Sequence, residues 1–261
     1  MTELVGRSAI IAGGAGGLGG ATARRLAGRG AGVVVLDPDP SRSAALVSEL
    51  GDGAAAVTGV SNDDDAVAEA IDAAQALGAF GIAVSATGVV IPSQPLVGRD
   101  GSLLSVETLR ANLELHVCGP FNLARLAAAA FAQNQPDEDG QRGVIVQTAS
   151  ISAFDGQVTM VPYAAAKGAI VSMTLPMARD LAPLGIRVCA IAPGAFATPR
   201  LASPHIQELL VRDVTFPARV GHPDEYASLV EHIVTNPYLN GEVIRLDGGA
   251  RLSPAMGGAR P

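Results

Sequence analysis

Tyr163 and Lys167 stand four residues apart at the head of an alanine-rich stretch, YAAAKGAI, whose composition predicts a helix over Tyr163 to Leu181. Four residues is about one helical turn, so a phenol and an ammonium project from the same face with their side chains adjacent. A phenol with a pKa near 10 is a poor acid or base at neutral pH, but a neighbouring ammonium favours the phenolate and brings it toward the working range. Ser150 lies just past an apolar run ending at Thr148 and brings a hydroxyl able to hold a carbonyl or alcohol oxygen. Together the three side chains suit proton exchange with a substrate oxygen.

A second constellation lies near the N-terminus. Gly13-Gly14-Ala15-Gly16-Gly17-Leu18-Gly19 follows an apolar run and opens into a helical pattern. Backbone N–H groups and a helix N-terminus can face a pyrophosphate only where no Cβ intervenes, and glycines at such a turn serve that approach. The run Val33-Val34-Val35-Leu36 then ends at Asp37. A carboxylate there accepts hydrogen bonds from both ribose hydroxyls and repels a 2′-phosphate, which favours NAD over NADP.

The elements that must position these groups alternate from end to end. Strands are expected at Ser8 to Ala12, Val33 to Asp37, Ala54 to Val60, Ile82 to Ala86, Val144 to Thr148, Arg187 to Ile191 and Val243 to Leu246. Helices are expected at Leu18 to Ala27, Ser41 to Leu50, Asp64 to Leu77, Val106 to Gln133, Tyr163 to Leu181 and Pro223 to Val234. Repeated strand–helix units of this kind build a parallel sheet covered on both faces, so the reading is one doubly wound α/β domain with seven strands spanning residues 1–261. The segment 199–217 interrupts the alternation beyond a strand's carboxyl end, where open α/β sheets bind ligands, and is read as a substrate lid.

Composition narrows the function classes. The chain has 261 residues, 48% of them hydrophobic and 16% charged, which excludes a disordered or fibrous protein. A formal charge of −7 leaves no basic footprint for nucleic acid or an anionic membrane. Cys118 and Cys189 form no paired motif, so neither a disulfide framework nor a metal site is indicated. Without a membrane-length apolar run or a leader-like N-terminus, a cytoplasmic protein acting on a small molecule is expected.

With both constellations in place, the chain resembles the short-chain dehydrogenase/reductase family over essentially its whole length, and within it the branch acting on 3-hydroxyacyl-CoA and fused-ring hydroxy substrates. The stretches that carry this are QRGVIVQTAS (141–150), MTLPMARDLAPLGIRV (173–188), IAPGAFATP (191–199) and NPYLNGEVIRLDG (236–248). The resemblance implies a Rossmann fold, NAD as cofactor, and hydride transfer to or from a secondary alcohol or ketone. Tyr163 then becomes the general acid/base, Lys167 the group that lowers its pKa and contacts the nicotinamide ribose, and Ser150 the substrate-orienting hydroxyl. Gly13, Gly16, Gly17, Leu18, Gly19, Asp37 and Gly88 match cofactor-binding positions, as do Pro193, Gly194 and Thr198 around the nicotinamide. Gln157 matches a substrate-pocket position, and Arg200 and His205 in the lid segment, with Arg99, could attract the phosphate or carboxylate groups of an acyl-CoA or another anionic substrate. The same resemblance implies a homo-oligomer, tetramer or dimer.

The sequence departs from the family at four places. Ala12 replaces the Thr that usually opens the glycine motif, and Val60 or a neighbour replaces an adenine-gripping Asp. Ser85-Ala86-Thr87-Gly88 replaces an Asn-rich motif, and His116 falls where the family has a helix-kinking Asn that anchors a water chain to the Lys. An imidazole donates and accepts and titrates near neutrality, so His116 joins the catalytic candidates. Ser61, Ser85 and Thr87 are polar groups able to compensate. The departures leave two other readings open: a cofactor-weak, non-catalytic partner subunit, and a non-redox isomerase or lyase.

Overall fold

The computed structural model describes residues 4–88, 94–199 and 203–255. Seven strands form one parallel sheet in the order β3-β2-β1-β4-β5-β6-β7. They are β1 (Arg7–Ala12), β2 (Gly32–Asp37), β3 (Ala54–Thr58), β4 (Ala79–Ser85), β5 (Gly143–Thr148), β6 (Ile186–Pro193) and β7 (Val243–Leu246). Every residue of β2, β5 and β6 is buried, as continuous Val/Ile-rich runs require when helices cover both faces.

The helices are α1 (Gly17–Ala27), α2 (Pro40–Leu50), α3 (Asp64–Leu77), α4 (Val106–Leu113), α5 (Gly119–Phe131), α6 (Val161–Leu181), α7 (Pro204–Val211) and α8 (Pro223–Thr235). One core packs α1, α2 and α8 on the sheet through Leu26, Leu46, Tyr226 and Val230. The other packs α3, α5 and α6 through Val67, Leu123, Phe131 and Ala178. Helix starts follow local chemistry. Asp63 accepts the N–H groups of Asp65 and Ala66 at the head of α3. Glu225 accepts the His222 N–H at 2.7 Å at the head of α8, and its pairing with Arg219 holds its carboxyl down to about 2.

The seven-stranded α/β reading holds, with local corrections. The helix expected over Val106 to Gln133 is interrupted by a π-helical turn, Glu114–Cys118, and ends at Phe131. β3 stops at Thr58, which leaves Val60 in the loop after it. The segment read as a lid contains α7, and Arg200 lies outside the described residues.

The chain runs from β1 outward through β2 and β3, then returns to place β4 on the other side of β1. Connections leaving β1 and β4 therefore diverge, and the carboxyl ends of these two strands open a crevice.

Candidate active site

That crevice is a cleft of about 810 Å³, within the range of sites that enclose a small molecule or cofactor. Gly13, Gly16, Gly17 and Leu18 form one wall. The turn is tight: Gly13 has φ +70°, and a Cβ on Gly17 would stand 2.7 Å from Thr198 Cγ2. Gly19 does not face the cleft; a Cβ there would lie 2.1 Å from the Gly13 carbonyl oxygen, so its bareness lets α1 start against the turn. The backbone cradle is open because these side chains are absent, and a phosphate group fits it.

Asp37 closes one end. It is buried, its Oδ2 accepts the Ala15 N–H at 3.1 Å and its Oδ1 accepts the Asp39 N–H at 3.1 Å. Arg42 lines the same end and donates to the Ala15 carbonyl. Gly59, Val60, Ser61 and Asn62 follow β3 along this end, so the loop that lacks the family's Asp still presents Ser61 and Asn62. Ala86, Thr87 and Gly88 form the opposite rim, with Ser85 Oγ 3.3 Å from Thr87 Oγ1 behind them. Ala12 lies buried at the end of β1, its carbonyl accepting the Ala86 N–H at 2.9 Å.

At the far end the structure brings Ser150, Tyr163 and Lys167 together. Ser150 caps a short 3₁₀ turn, its Oγ accepting the Ser152 N–H at 3.1 Å, which leaves its own hydrogen to favour the phenolate form of the neighbouring Tyr163. Pro162 sits in the first turn of α6 and sets the helix start that aims Tyr163 and Lys167 into the cleft. Lys167 is buried; its Nζ donates to the Thr148 carbonyl at 2.8 Å and lies 5.9 Å from the centre of the Tyr163 ring. Burial pushes the lysine down to about 7 and raises the phenol, the latter opposed by the Ser150 hydrogen bond. Pro193, Gly194 and Thr198, on the strand end and loop of β6, complete the wall beside the pair.

Two other candidates lie outside the cleft wall. His116 is fully buried on the π-helical turn and meets the Tyr163 ring edge-on, with centroids 5.3 Å apart. Gln157 donates from Nε2 to the Ser253 carbonyl at 2.8 Å and thereby joins the loop before α6 to the C-terminal segment. Arg99 sits exposed in a turn and is not part of the wall. Sequence reasoning missed Thr148 and Tyr226, whose hydroxyls meet at 2.6 Å beneath the lysine from positions 78 residues apart. It also missed Arg42, which α2 brings to the Asp37 end of the cleft across the turn after β2 and which carried no signal of its own.

A glycine cradle with a carboxylate at one end and a Ser–Tyr–Lys set at the other defines a dinucleotide-dependent oxidoreductase of hydroxyl and keto groups. The chain belongs to the short chain dehydrogenase family, whose pattern matches residues 7–208. It is 46% identical over 252 residues to the 3-hydroxyacyl-CoA dehydrogenase type-2 of Homo sapiens, covering 95% of this chain and 97% of that protein. A crystal structure of 3-hydroxyacyl-CoA dehydrogenase type-2 from Mycobacterium avium superposes with a TM-score of 0.93 at 43% identity, covering 95% of this chain and 97% of that one. The 3-ketoacyl-(acyl-carrier-protein) reductase of Brucella melitensis, solved with NADH, gives a TM-score of 0.84 at 28% identity over 96% of this chain and all of its own, 100%. The protein is an oxidoreductase acting on a small-molecule substrate, and none of these relatives favours the non-catalytic or non-redox readings. No helix among the described residues is long and apolar enough to cross a membrane.

Proposed function

We propose that the protein is a NAD-dependent dehydrogenase that interconverts the 3-hydroxyl and 3-keto forms of an acyl-CoA. The observation that carries this reading is the Tyr163 phenol beside Ser150, with Lys167 one turn on, at the opposite end of one cleft from Asp37. The relatives' names supply the acyl-CoA.

The Gly13–Leu18 turn holds the pyrophosphate of the cofactor, Asp37 its adenosine ribose, and Pro193, Gly194 and Thr198 its nicotinamide end. When bound, NAD supplies the acceptor for the hydride that leaves the alcohol carbon. Ser150 donates to the substrate oxygen and fixes it beside Tyr163. The Tyr163 oxygen takes the hydroxyl proton as the carbonyl forms, and returns it in the reverse direction. Lys167 stabilises the phenolate that this task requires. Asp37 supports NAD over NADP because both its oxygens are already oriented by backbone N–H groups, and a 2′-phosphate would meet a fixed negative charge. Segment 199–217, with α7, serves as the lid of a single domain; a homo-oligomer accompanies this reading, supported by the half-buried edge strand β7.

Titration with NADH and with NADPH, followed by cofactor fluorescence, tests the cofactor reading. Tighter binding of NADH is expected, and binding of neither would sink it. With 3-hydroxybutyryl-CoA as substrate, Tyr163→Phe is expected to abolish NADH formation; undiminished turnover would refute the role of the phenol.

A further inference from the structure

We propose that Tyr226 is a positioning residue for this reaction: its hydroxyl, acting through Thr148, fixes the carbonyl that holds the Lys167 amine. The inference rests on the catalytic reading of Tyr163 and Lys167 given above.

β4 and β5 pair as far as Ser85 and Gln147, and β4 then leaves the sheet. On its other side β5 stays paired, with the Ala149 N–H donating to the Ile191 carbonyl at 2.7 Å. A trans peptide points its C=O opposite its N–H, so the Thr148 carbonyl faces the gap that β4 has left. Lys167 Nζ enters that gap and donates to this carbonyl at 2.8 Å, in place of the strand N–H that would have continued the ladder.

The Thr148 side chain bridges the same gap. Its Oγ1 donates to the Ser85 carbonyl at 2.5 Å, and since that hydrogen is then committed, the Tyr226 O–H is the donor in the 2.6 Å contact between the two hydroxyls. The chain Tyr226 O–H to Thr148 Oγ1–H to Ser85 C=O thus ties the parting strand ends at the residue whose carbonyl receives the lysine. Tyr226 reaches it from α8, in the opposite core layer from α6, packed edge-on to Phe196 at 6.4 Å. α8 is pinned in turn to the C-terminal end of α1 by Glu231, 2.6 Å from Arg29. Burial pushes the Tyr226 phenol up to about 12, so it remains a donor throughout the working pH range. A phenylalanine would fill the same volume, so packing alone does not account for the hydroxyl.

Tyr226→Phe removes only that donor. Loss of one buried hydrogen bond, about 1 kcal/mol, corresponds to a fall in kcat of about fivefold, with the KM for NAD unchanged because Tyr226 does not line the cleft. A structural role alone would not move the Tyr163 titration, and this can be read without turnover. The chain has three tyrosines and no tryptophan, so phenolate absorbance resolves them, with Tyr163 identified by its loss in Tyr163→Phe. In Tyr226→Phe, Tyr163 is expected to ionise at higher pH than in the wild type, because a less firmly held ammonium stabilises its phenolate less.

Thr148→Val is expected to reproduce both effects, Thr148→Ser to rescue them, and the double variant with Tyr226→Phe to add nothing to Thr148→Val. If Tyr226→Phe fails to fold, the Thr148 pair carries the test. An unmoved Tyr163 titration in a folded Tyr226→Phe or Thr148→Val protein overturns the proposal. Active Tyr163→Phe protein would instead overturn the catalytic reading beneath it.

Discussion

Replacing Lys167 with methionine keeps most of the buried stem and removes the charge. In the wild type the ammonium lies 5.9 Å from the Tyr163 ring centre. At an effective dielectric of about 20, two unit charges roughly 6 Å apart interact by about 3 kcal/mol, or about two pKa units on the phenol. Only a charged lysine delivers this, and burial brings Lys167 down to about 7. Below that pH it is charged before the phenol ionises, and Lys167→Met should then lower kcat/KM for alcohol oxidation by about a hundredfold. Above it the free enzyme's lysine increasingly starts neutral, its advantage shrinks, and the two pH–rate curves should converge toward the alkaline end. The assay is NADH formation from 3-hydroxybutyryl-CoA across this range. A loss of constant size at every pH would mean that Lys167 serves only to bind or to hold shape; no loss at all would remove it from the mechanism.

The same variant should change stability in a pH-dependent way. A lysine whose folded pKa falls from 10.5 to about 7 costs stability in full below pH 7, and the cost fades as pH rises toward 10.5. The stability of Lys167→Met relative to the wild type should therefore be highest at acid pH and fall by up to about 5 kcal/mol through this window in denaturant titrations; a relative stability that grows with pH would reverse the sign of the argument. Asp37→Ser removes the fixed carboxylate but leaves Arg42 at the same end of the cleft. It should raise the Kd for NADH about tenfold or more by losing charged hydrogen bonds, while improving NADPH binding, both measured by fluorescence titration. Gly19→Ala places a Cβ 2.1 Å from the Gly13 carbonyl oxygen, whereas a Cβ on Gly88 meets nothing within 4 Å. Overpacking of about 1–3 kcal/mol should lower the Tm of Gly19→Ala by several degrees and leave that of Gly88→Ala unchanged in calorimetry. His116→Ala opens space beside the Tyr163 ring and should reduce kcat about tenfold through a misplaced phenol, with little change in the KM for NAD.

How much of this was legible in advance follows from the range of each interaction. Runs such as Val33-Val34-Val35-Leu36 and the alternation of strands with alanine-rich helices are local signals, and they located all seven strands and placed α3 to the residue. Asp37 and the glycine turn were readable because strand, turn and helix are contiguous, and Tyr163 and Lys167 because a helical turn fixes their relation. The π-helical turn at Glu114–Cys118 left no mark in composition, and only the match of His116 to a helix-kinking position pointed to a break there; the extra residue per turn depends on packing. Within the lid segment, α7 has only eight residues, too few for a clear period beside its prolines. The Tyr226–Thr148 contact joins residues on opposite sheet layers, and Tyr226 reads in sequence as one more apolar position of α8.

Charge at the catalytic pair also had to be corrected by the fold. Spacing alone suggests a permanently charged lysine depressing the phenol, yet burial works against charge on both groups, lowering Lys167 and raising Tyr163. With one proton between them, the neutral pair and the ammonium–phenolate pair differ only in where that proton sits. Each ionised form strengthens the other by the roughly 3 kcal/mol of their attraction, so loss of the phenol's proton is linked to retention of one by the lysine. The Thr148 carbonyl at 2.8 Å favours the ammonium, and the Ser150 hydroxyl favours the phenolate. Both bonds tip the shared proton toward Lys167, leaving the Tyr163 oxygen ready to take the substrate's. A buried pair therefore serves as a base near neutral pH only while these two hydroxyl-and-carbonyl supports hold, which is why the anchoring of Thr148 bears on the chemistry as much as the charge of the lysine itself.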